Sequence, residues 1–470
     1  MPVSAVYRPD PQLPRLGPAF ADPVSAADFP QTVLRFRNDR AAATVGLDSL
    51  SDTEWVAHFG RFQPLPRNLP QPLAQRYHGH QFRSYNPDLG DGRGFTFAQM
   101  REVATDRLLD LGTKGSGQTP WSRQGDGRLT LKGGVREVLA TAMLEALGVP
   151  TSKSFSLIET GEDLQRGDEP SPTRSAVLVR LSHSHIRFGT FQRQAYLGEE
   201  GEVRRLIDYA VATYYPQLDN APDRGAALLE AVVARSAKMT AAWMAAGFVH
   251  GVLNTDNMNI TGESFDYGPY RFLPRNDPNF VAAYFDSQGL YSFGRQPEAV
   301  FWNLQQLAGS LSAAGETDGL VAALNGFGPA YRQALAAAML VRLGLQATDG
   351  ESDLALVNAA FRALAAGGET LRWEPFFFDW FTGDAARAMA GPRAELYAKE
   401  GFAEFRGLME RAAKDRPERL DHAYFRDAEP QELLIEEIEM IWAAIAERDD
   451  WTLFHAKLGA IEHARLAYAL

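Results

Sequence analysis

HGVLNTDNMNITGESFDYG, residues 250–268, sets three short oxygen-bearing side chains close together: Asp256, Asn257 and Asp266. His250 and Asn257 keep the His-x-Asp-x-x-x-x-Asn spacing of phosphoryl-transfer loops, in which the Asp orients the acceptor and the Asn binds magnesium. Asp266-Tyr267-Gly268 takes the place of the Asp-Phe-Gly that supplies a second metal ligand. Val252 stands where the loop Asp belongs. Hard oxygens suit magnesium, which takes one or two protein carboxylates and completes its shell with substrate phosphates. Asn254-Thr255-Asp256-Asn257 is also good turn chemistry, because short polar side chains cap their own backbone. The apolar helical pattern just upstream and the acidic Asp266 downstream favour the metal reading. The stretch is therefore a decayed phosphotransfer loop, a chance match to the motif, or a loop that needs no base at position 252.

Outward from this stretch the chain changes character. Upstream, RGAALLEAVVARSAKMTAAWMAAG (224–247) is a long Ala-rich helix pattern. Downstream, helices are expected near 297–313, 329–345, 352–366, 384–411, 430–447 and 451–468. Between about 76 and 200, glycine-rich turns alternate with the strand candidates GFTFAQM, RLLDLGTKG, SFSLIET and SAVLVRLS. One helix pattern interrupts them at 133–148, with Val135, Leu139, Met143 and Leu147 on one face and Gly148 as its stop. Residues 1–75 are rich in Pro, Asp and Arg and predict an irregular extension. The expected class is α+β: a bilobal, protein-kinase-like fold with an N-terminal extension (1–75), a small strand-rich N-lobe (76–200) and a large helical C-lobe (201–470).

Lysine usage marks a second site. Of 47 basic residues only seven are lysines, and the first is Lys114, in LLDLGTKGSGQ. A strand lysine can hold nucleotide phosphates while a helix glutamate pins it, and Glu137 on the 133–148 helix is the candidate partner. The alternative is a solvated loop lysine between glycines. LGDGRG (89–94) and GTKGSGQ (112–118) could let backbone amides approach phosphates, although taken alone hairpin turns explain both better. VRLSHSHIRFGTFQ (179–192) offers Arg180 and Arg187, whose guanidinium groups suit bidentate phosphate contacts. Its His-Ser-His, like the His-x-His of YHGHQF (77–82), lacks a nearby acidic or Cys partner and makes a weak metal site.

Composition narrows the classes. The chain is 45% apolar and 23% charged, and no stretch approaches the roughly 18 apolar residues of a membrane span. The start shows no signal or transit pattern, which predicts a cytoplasmic protein without a membrane partner. A net charge of −12 argues against nucleic acid as a partner. The absence of cysteine excludes disulfides, thiolate nucleophiles and cysteine metal sites.

Taken in order, YHGHQF, NPDLGDGRG, GTKGSGQTPWSR, DGR (126–128), VRE (135–137), SHSHIRFG, HGVLNTDNM and DYGPYRF resemble the selenoprotein O family, a kinase-fold group once called pseudokinases. The resemblance runs most densely from about residue 70 to 310. It implies transfer of AMP from ATP to Ser, Thr or Tyr hydroxyls of protein substrates, with ATP lying flipped relative to ordinary kinases. By motif it implies ATP contacts at Gly90, Gly92, Arg93, Lys114, Asp126, Gly127, Arg180, Arg187 and Asp266, with Glu137 as the partner of Lys114. It implies Mg2+ or Mn2+ on Asn257 and Asp266, and Asp256 as proton acceptor. Two features depart from the family. A redox-active Cys or selenocysteine tail has no counterpart here, and LTLKGGVRE lacks the Ser-rich run expected before the glutamate. Two other functions stay open on the residues alone: an ordinary kinase moving the γ-phosphate, or an inactive nucleotide-binding scaffold.

Overall fold

A computed structural model describes residues 3–167 and 169–470. Its strands form where β-branched and apolar runs are bounded by turn residues. In chain order they are β1 (Ala21–Pro23), β2 (Val33–Arg37), β3 (Leu73–Gln75), β4 (Gly79–Gln81), β5 (Ser84–Asn86), β6 (Thr96–Arg101), β7 (Leu108–Lys114), β8 (Leu129–Thr130), β9 (Lys153–Leu164) and β10 (Thr173–Ser182). All but the β4–β5 hairpin join one antiparallel sheet in the order β1-β3-β6-β7-β10-β9-β2, with β8 paired to β10. β7 is buried along its whole length. Its register sets Lys114 opposite Leu178 and Gly112 opposite Arg180. Because side chains alternate along a strand, Lys114 and Arg180 stand on the same face as diagonal neighbours.

The first 75 residues are more ordered than their composition predicts. β1, β2 and β3 pair into the main sheet, Ala21 with Gln75 and Val33 with Glu159. Two helices follow: α1 (Asp39–Ala43) buries Ala41 and Ala42, and α2 (Asp52–Phe59) carries Trp55 and Phe59 into a core with Phe97 and Phe155. The strand partners lie far along the chain and leave no local periodicity, so the composition alone reads as irregular.

α3 (Leu131–Ala146) starts at Thr130, whose side chain accepts from the Gly133 amide. It packs on β9 and β10. α4 (Phe188–Tyr196) follows β10 and was not anticipated, nor was α5 (Glu200–Tyr214). α6 (Arg224–Ala245) is the Ala-rich helix, buried in the largest core with α7 (Gln296–Leu311). β11 (Phe248–Val249) and β12 (Arg271–Phe272) pair and close the 250–268 stretch at its base. The helix expected over 384–411 is three, Ala385–Ala390, Ala394–Tyr397 and Ala403–Met409. Gly391-Pro392 interrupts it, because proline lacks the amide and disfavours helix in the residue before it. The molecule is thus mixed α/β, with an antiparallel sheet and many helices. Among the described residues no helix is long and apolar enough to cross a membrane.

Candidate functional site

A cavity of about 680 Å3 opens between the sheet and the 250–268 stretch. Among the described residues seven cationic side chains line it (Arg93, Lys114, Arg123, Arg128, Arg166, Arg180 and Arg187) against four carboxylates (Asp91, Asp126, Asp256 and Asp266). In a chain of net charge −12, this is a local reversal of sign that suits an anionic ligand.

The end of β7 delivers Lys114 to a buried charge cluster. Lys114 Nζ lies 2.6 Å from Glu137 Oε2 and 2.7 Å from Asp266 Oδ1. Arg180 Nη1 reaches the same two carboxylates at 3.2 and 3.3 Å. Glu137 is fully buried, and the two cations that face it offset the cost of burying its charge. α3 fixes its position, and the two carboxylates hold Lys114 extended toward the cavity. Behind the cluster, Arg187 lies over the Tyr77 ring at 4.4 Å and donates to the Asp256 backbone carbonyl at 2.8 Å. Its second arm reaches Asp91 Oδ1 at 3.2 Å.

Asp266 sits in the left-handed region at φ 66°, which aspartate tolerates better than most residues. Next to it Tyr267 is buried, with its hydroxyl 2.5 Å from Thr151 Oγ1. His250 Nε2 donates to the Phe265 carbonyl at 3.0 Å, so the stretch is anchored on both sides of the aspartate. Burial opposes ionisation of Asp266, yet Lys114, Arg180, Arg187 and Arg93 outweigh it and hold the carboxyl well below the usual range. Asp256 is the opposite case. Burial pushes its carboxyl up to about 6, against the pull of Arg187. Its Oδ1 is buried without a hydrogen-bond partner. Two carboxylates on one cavity thus differ in proton affinity, the arrangement that separates a charge-binding group from a proton-accepting one.

Asn257 does not line the cavity wall directly. Its amide nitrogen donates to the Val252 carbonyl at 3.0 Å, which turns its side-chain oxygen into the available donor atom. Val252 therefore shapes this loop through its backbone. Asn257, Asp266 and the unpartnered oxygen of Asp256 are hard donors, a set that fits Mg2+ or Mn2+. Among the described residues no group of three or more His, Cys, Asp or Glu is placed to hold a metal alone. Substrate phosphate oxygens and water would complete the shell of a cation held here.

The glycines are steric necessities. A Cβ on Gly90 would fall 2.4 Å from Trp121 Cγ, and one on Gly92 would fall 2.7 Å from the Trp121 carbonyl. Trp121 is itself fixed by Asp22 of β1, which accepts from its Nε1 at 2.9 Å. Asp126 and Gly127 lie on the far rim, where Arg166 holds the Asp126 carboxylate at 2.8 Å. The weak histidine metal motifs are satisfied otherwise. His78 pairs with the Tyr85 hydroxyl at 2.8 Å and His80 with Gln192 at 2.8 Å, whereas the His185 ring meets Asp110 through Nδ1 at 3.4 Å and its Nε2 has no hydrogen-bond partner.

The structure thus brings Gly90, Gly92, Arg93, Lys114, Asp126, Gly127, Arg180, Arg187, Asp256 and Asp266 to one cavity, with Glu137 directly behind Lys114. It adds Tyr77, Asp91, Trp121, Arg123, Arg128 and Arg166. Asp91 lay between two glycines already singled out, and that was a usable signal. Arg166, on the β9–β10 connection, had none.

The sequence profile described as "Protein adenylyltransferase SelO" matches residues 4–462. A protein of Synechocystis named "Protein nucleotidyltransferase YdiU" is 45% identical, covering 95% of this chain and 96% of its own length. One of the same name from Gloeobacter violaceus is 45% identical over 98% and 95% of the two chains. Another, from Synechococcus elongatus, is 52% identical over 74% and 70%.

Proposed function

The chain belongs to the SelO family of protein adenylyltransferases, and from that membership we propose that it is a protein nucleotidyltransferase moving AMP from ATP onto Ser, Thr or Tyr hydroxyls of other proteins. The observation that carries this is the cavity itself, which cationic side chains line together with Asp256, whose Oδ1 is unpartnered. We read the fold as kinase-like and bilobal, with residues 76–200 as the nucleotide-binding lobe, 201–470 as the helical lobe and 1–75 as an extension. The pairing of a strand lysine, Lys114, with a helix glutamate, Glu137, supports this.

In this reading Lys114, Arg93, Arg180 and Arg187 bind the phosphates, and Gly90 and Gly92 let the backbone come close to them. Asp126 and Gly127 form the opposite wall. The acceptor hydroxyl oxygen attacks the α-phosphorus and forms the new O–P bond. The bond from that phosphorus to the bridging oxygen breaks, pyrophosphate leaves, and the hydroxyl proton passes to Asp256. Mg2+ or Mn2+ on Asn257 and Asp266 would supply charge neutralisation. Transfer of this kind depends mainly on positioning and electrostatics, so a valine at 252 is tolerable when the acceptor approaches from the side of Asp256. With ATP flipped, the α-phosphate faces that acceptor.

The test is incubation of the purified protein and casein with Mg2+ or Mn2+ and ATP labelled at the α- or the γ-phosphate. Label transferred from α-labelled ATP alone is expected. Transfer from γ-labelled ATP alone would replace the proposal with kinase activity, and transfer from neither would leave a binding scaffold.

A further inference from the structure

Exposed aromatic rings gather outside the cavity, beside the loop that carries Asp256. The β4–β5 turn is made by Phe82 and Arg83, both left-handed at φ 49° and 63°. Such turns favour asparagine and glycine, so a phenylalanine there is retained against its backbone preference. Phe82 is 38% exposed, Tyr284 84% and Phe285 49%. Phe82 meets the Phe285 ring at 5.9 Å, and Phe285 meets Tyr284 at 5.1 Å. The exposure does not reflect a loose segment. Ala282, Ala283, Asp286 and Tyr291 on either side are buried, and the Asp286 carboxylate accepts from the Leu290 and Tyr291 amides at 2.9 and 2.8 Å. Fixed backbone on both sides thus turns two large rings outward, where apolar surface is costly unless something covers it.

The rings are tied directly to the catalytic loop. Asn254 Oδ1 accepts from the Phe82 amide at 3.1 Å and from the Tyr291 hydroxyl at 2.9 Å. Asp256 is two residues further on, and a Cβ on Gly79 of the same hairpin would stand 3.2 Å from its Oδ1. Gln81, next to Phe82, lines the cavity. The neighbouring charges are already engaged: Arg83 pairs with Glu298 at 2.9 Å, and Asp286 is spent on backbone amides. Among the described residues the surface therefore offers ring faces beside charges that are already paired.

We propose that Phe82, Tyr284 and Phe285 form an aromatic shelf that docks an aromatic or large aliphatic side chain of the polypeptide acceptor, flanking the hydroxyl that receives the nucleotide. This rests on the transfer proposed above and names the acceptor feature that the enzyme selects. A positional peptide library with one fixed Ser, Thr or Tyr, α-labelled ATP and the full-length protein tests it. The wild type is expected to enrich large apolar residues near the labelled hydroxyl. A Tyr284→Ala/Phe285→Ala double variant is expected to lose that preference, with KM for a Phe-flanked peptide raised about tenfold. Its affinity for a fluorescent ATP analogue stays unchanged, which separates docking from nucleotide binding and from misfolding. Labelling without apolar preference, or a preference kept by the variant, overturns the shelf and leaves the transfer intact. No peptide labelling by the wild type defeats the transfer itself and the shelf with it. A wild-type dimer in sedimentation that the double variant loses would assign the rings to a second copy and overturn the proposal.

Discussion

Lys114 meets two carboxylates at once, Glu137 Oε2 at 2.6 Å and Asp266 Oδ1 at 2.7 Å. Its truncation removes a fixed positive charge from the cavity, while Arg180 still faces the buried Glu137 at 3.2 Å. Lys114→Ala is therefore expected to fold, with kcat/KM for nucleotide transfer reduced about 100-fold. Lys132 makes the contrast. It reaches Glu439 at 2.7 Å from partly exposed surroundings, and such pairs contribute little. Lys132→Ala should leave activity unchanged and stability within about 0.5 kcal/mol. Steady-state kinetics of the two variants decide the point, and full activity in Lys114→Ala would remove the lysine from phosphate binding.

At the scale of elements, the pairing of β6 with β7 sets where Lys114 ends. Gly94, just before β6, lies so close to β7 that a Cβ would stand 2.1 Å from the Thr113 carbonyl oxygen. That neighbour is backbone inside a buried strand, so it cannot move aside cheaply. Gly94→Ala is expected to cost about 1–3 kcal/mol and to weaken nucleotide binding together with stability. Gly201, in the first turn of α5, has open space around it. Gly201→Ala should instead stabilise slightly, by about 0.5 kcal/mol or more. Melting temperatures compare the pair directly, and equal shifts would mean that the β6–β7 pairing accommodates the methyl group.

Across the whole molecule, stability should carry a pH signature from a site far along the chain from the cavity residues. Glu432 pairs with Arg372, which also holds Glu429 at 2.8 Å. Burial pushes the Glu432 carboxyl up to about 7, against the pull of Arg372, and its Oε1 has no hydrogen-bond partner. A carboxyl whose affinity for protons rises on folding favours the fold while protonated. That contribution is full below about pH 4.5 and is lost as the pH rises through 7. Glu432→Gln keeps the neutral form at every pH. Its melting temperature relative to the wild type should therefore rise between pH 5 and pH 8, by the equivalent of about 2–3 kcal/mol. A difference that is the same at both pH values would place the ionisation elsewhere.

By itself the sequence determined the features that short-range pattern encodes. The spacing of His250, Asn257 and Asp266, the rarity of lysine around Lys114, and the apolar face of the helix carrying Glu137 are all local. So are the arginines of the 179–192 run; of these residues Lys114, Arg180, Arg187 and Asp266 line one cavity, with Glu137 directly behind Lys114. Tertiary structure alone decided the rest. β1 and β2 find their partners at Gln75 and Glu159 only when distant segments meet. Asp22 then fixes Trp121 over the glycines, and Arg166 closes on Asp126. Asp256 and Asp266 are the same residue type in the same loop, yet burial raises one and surrounding cations lower the other. A carboxyl's proton affinity depends on solvent exclusion and on charges brought from other elements, and no run of neighbouring residues specifies either.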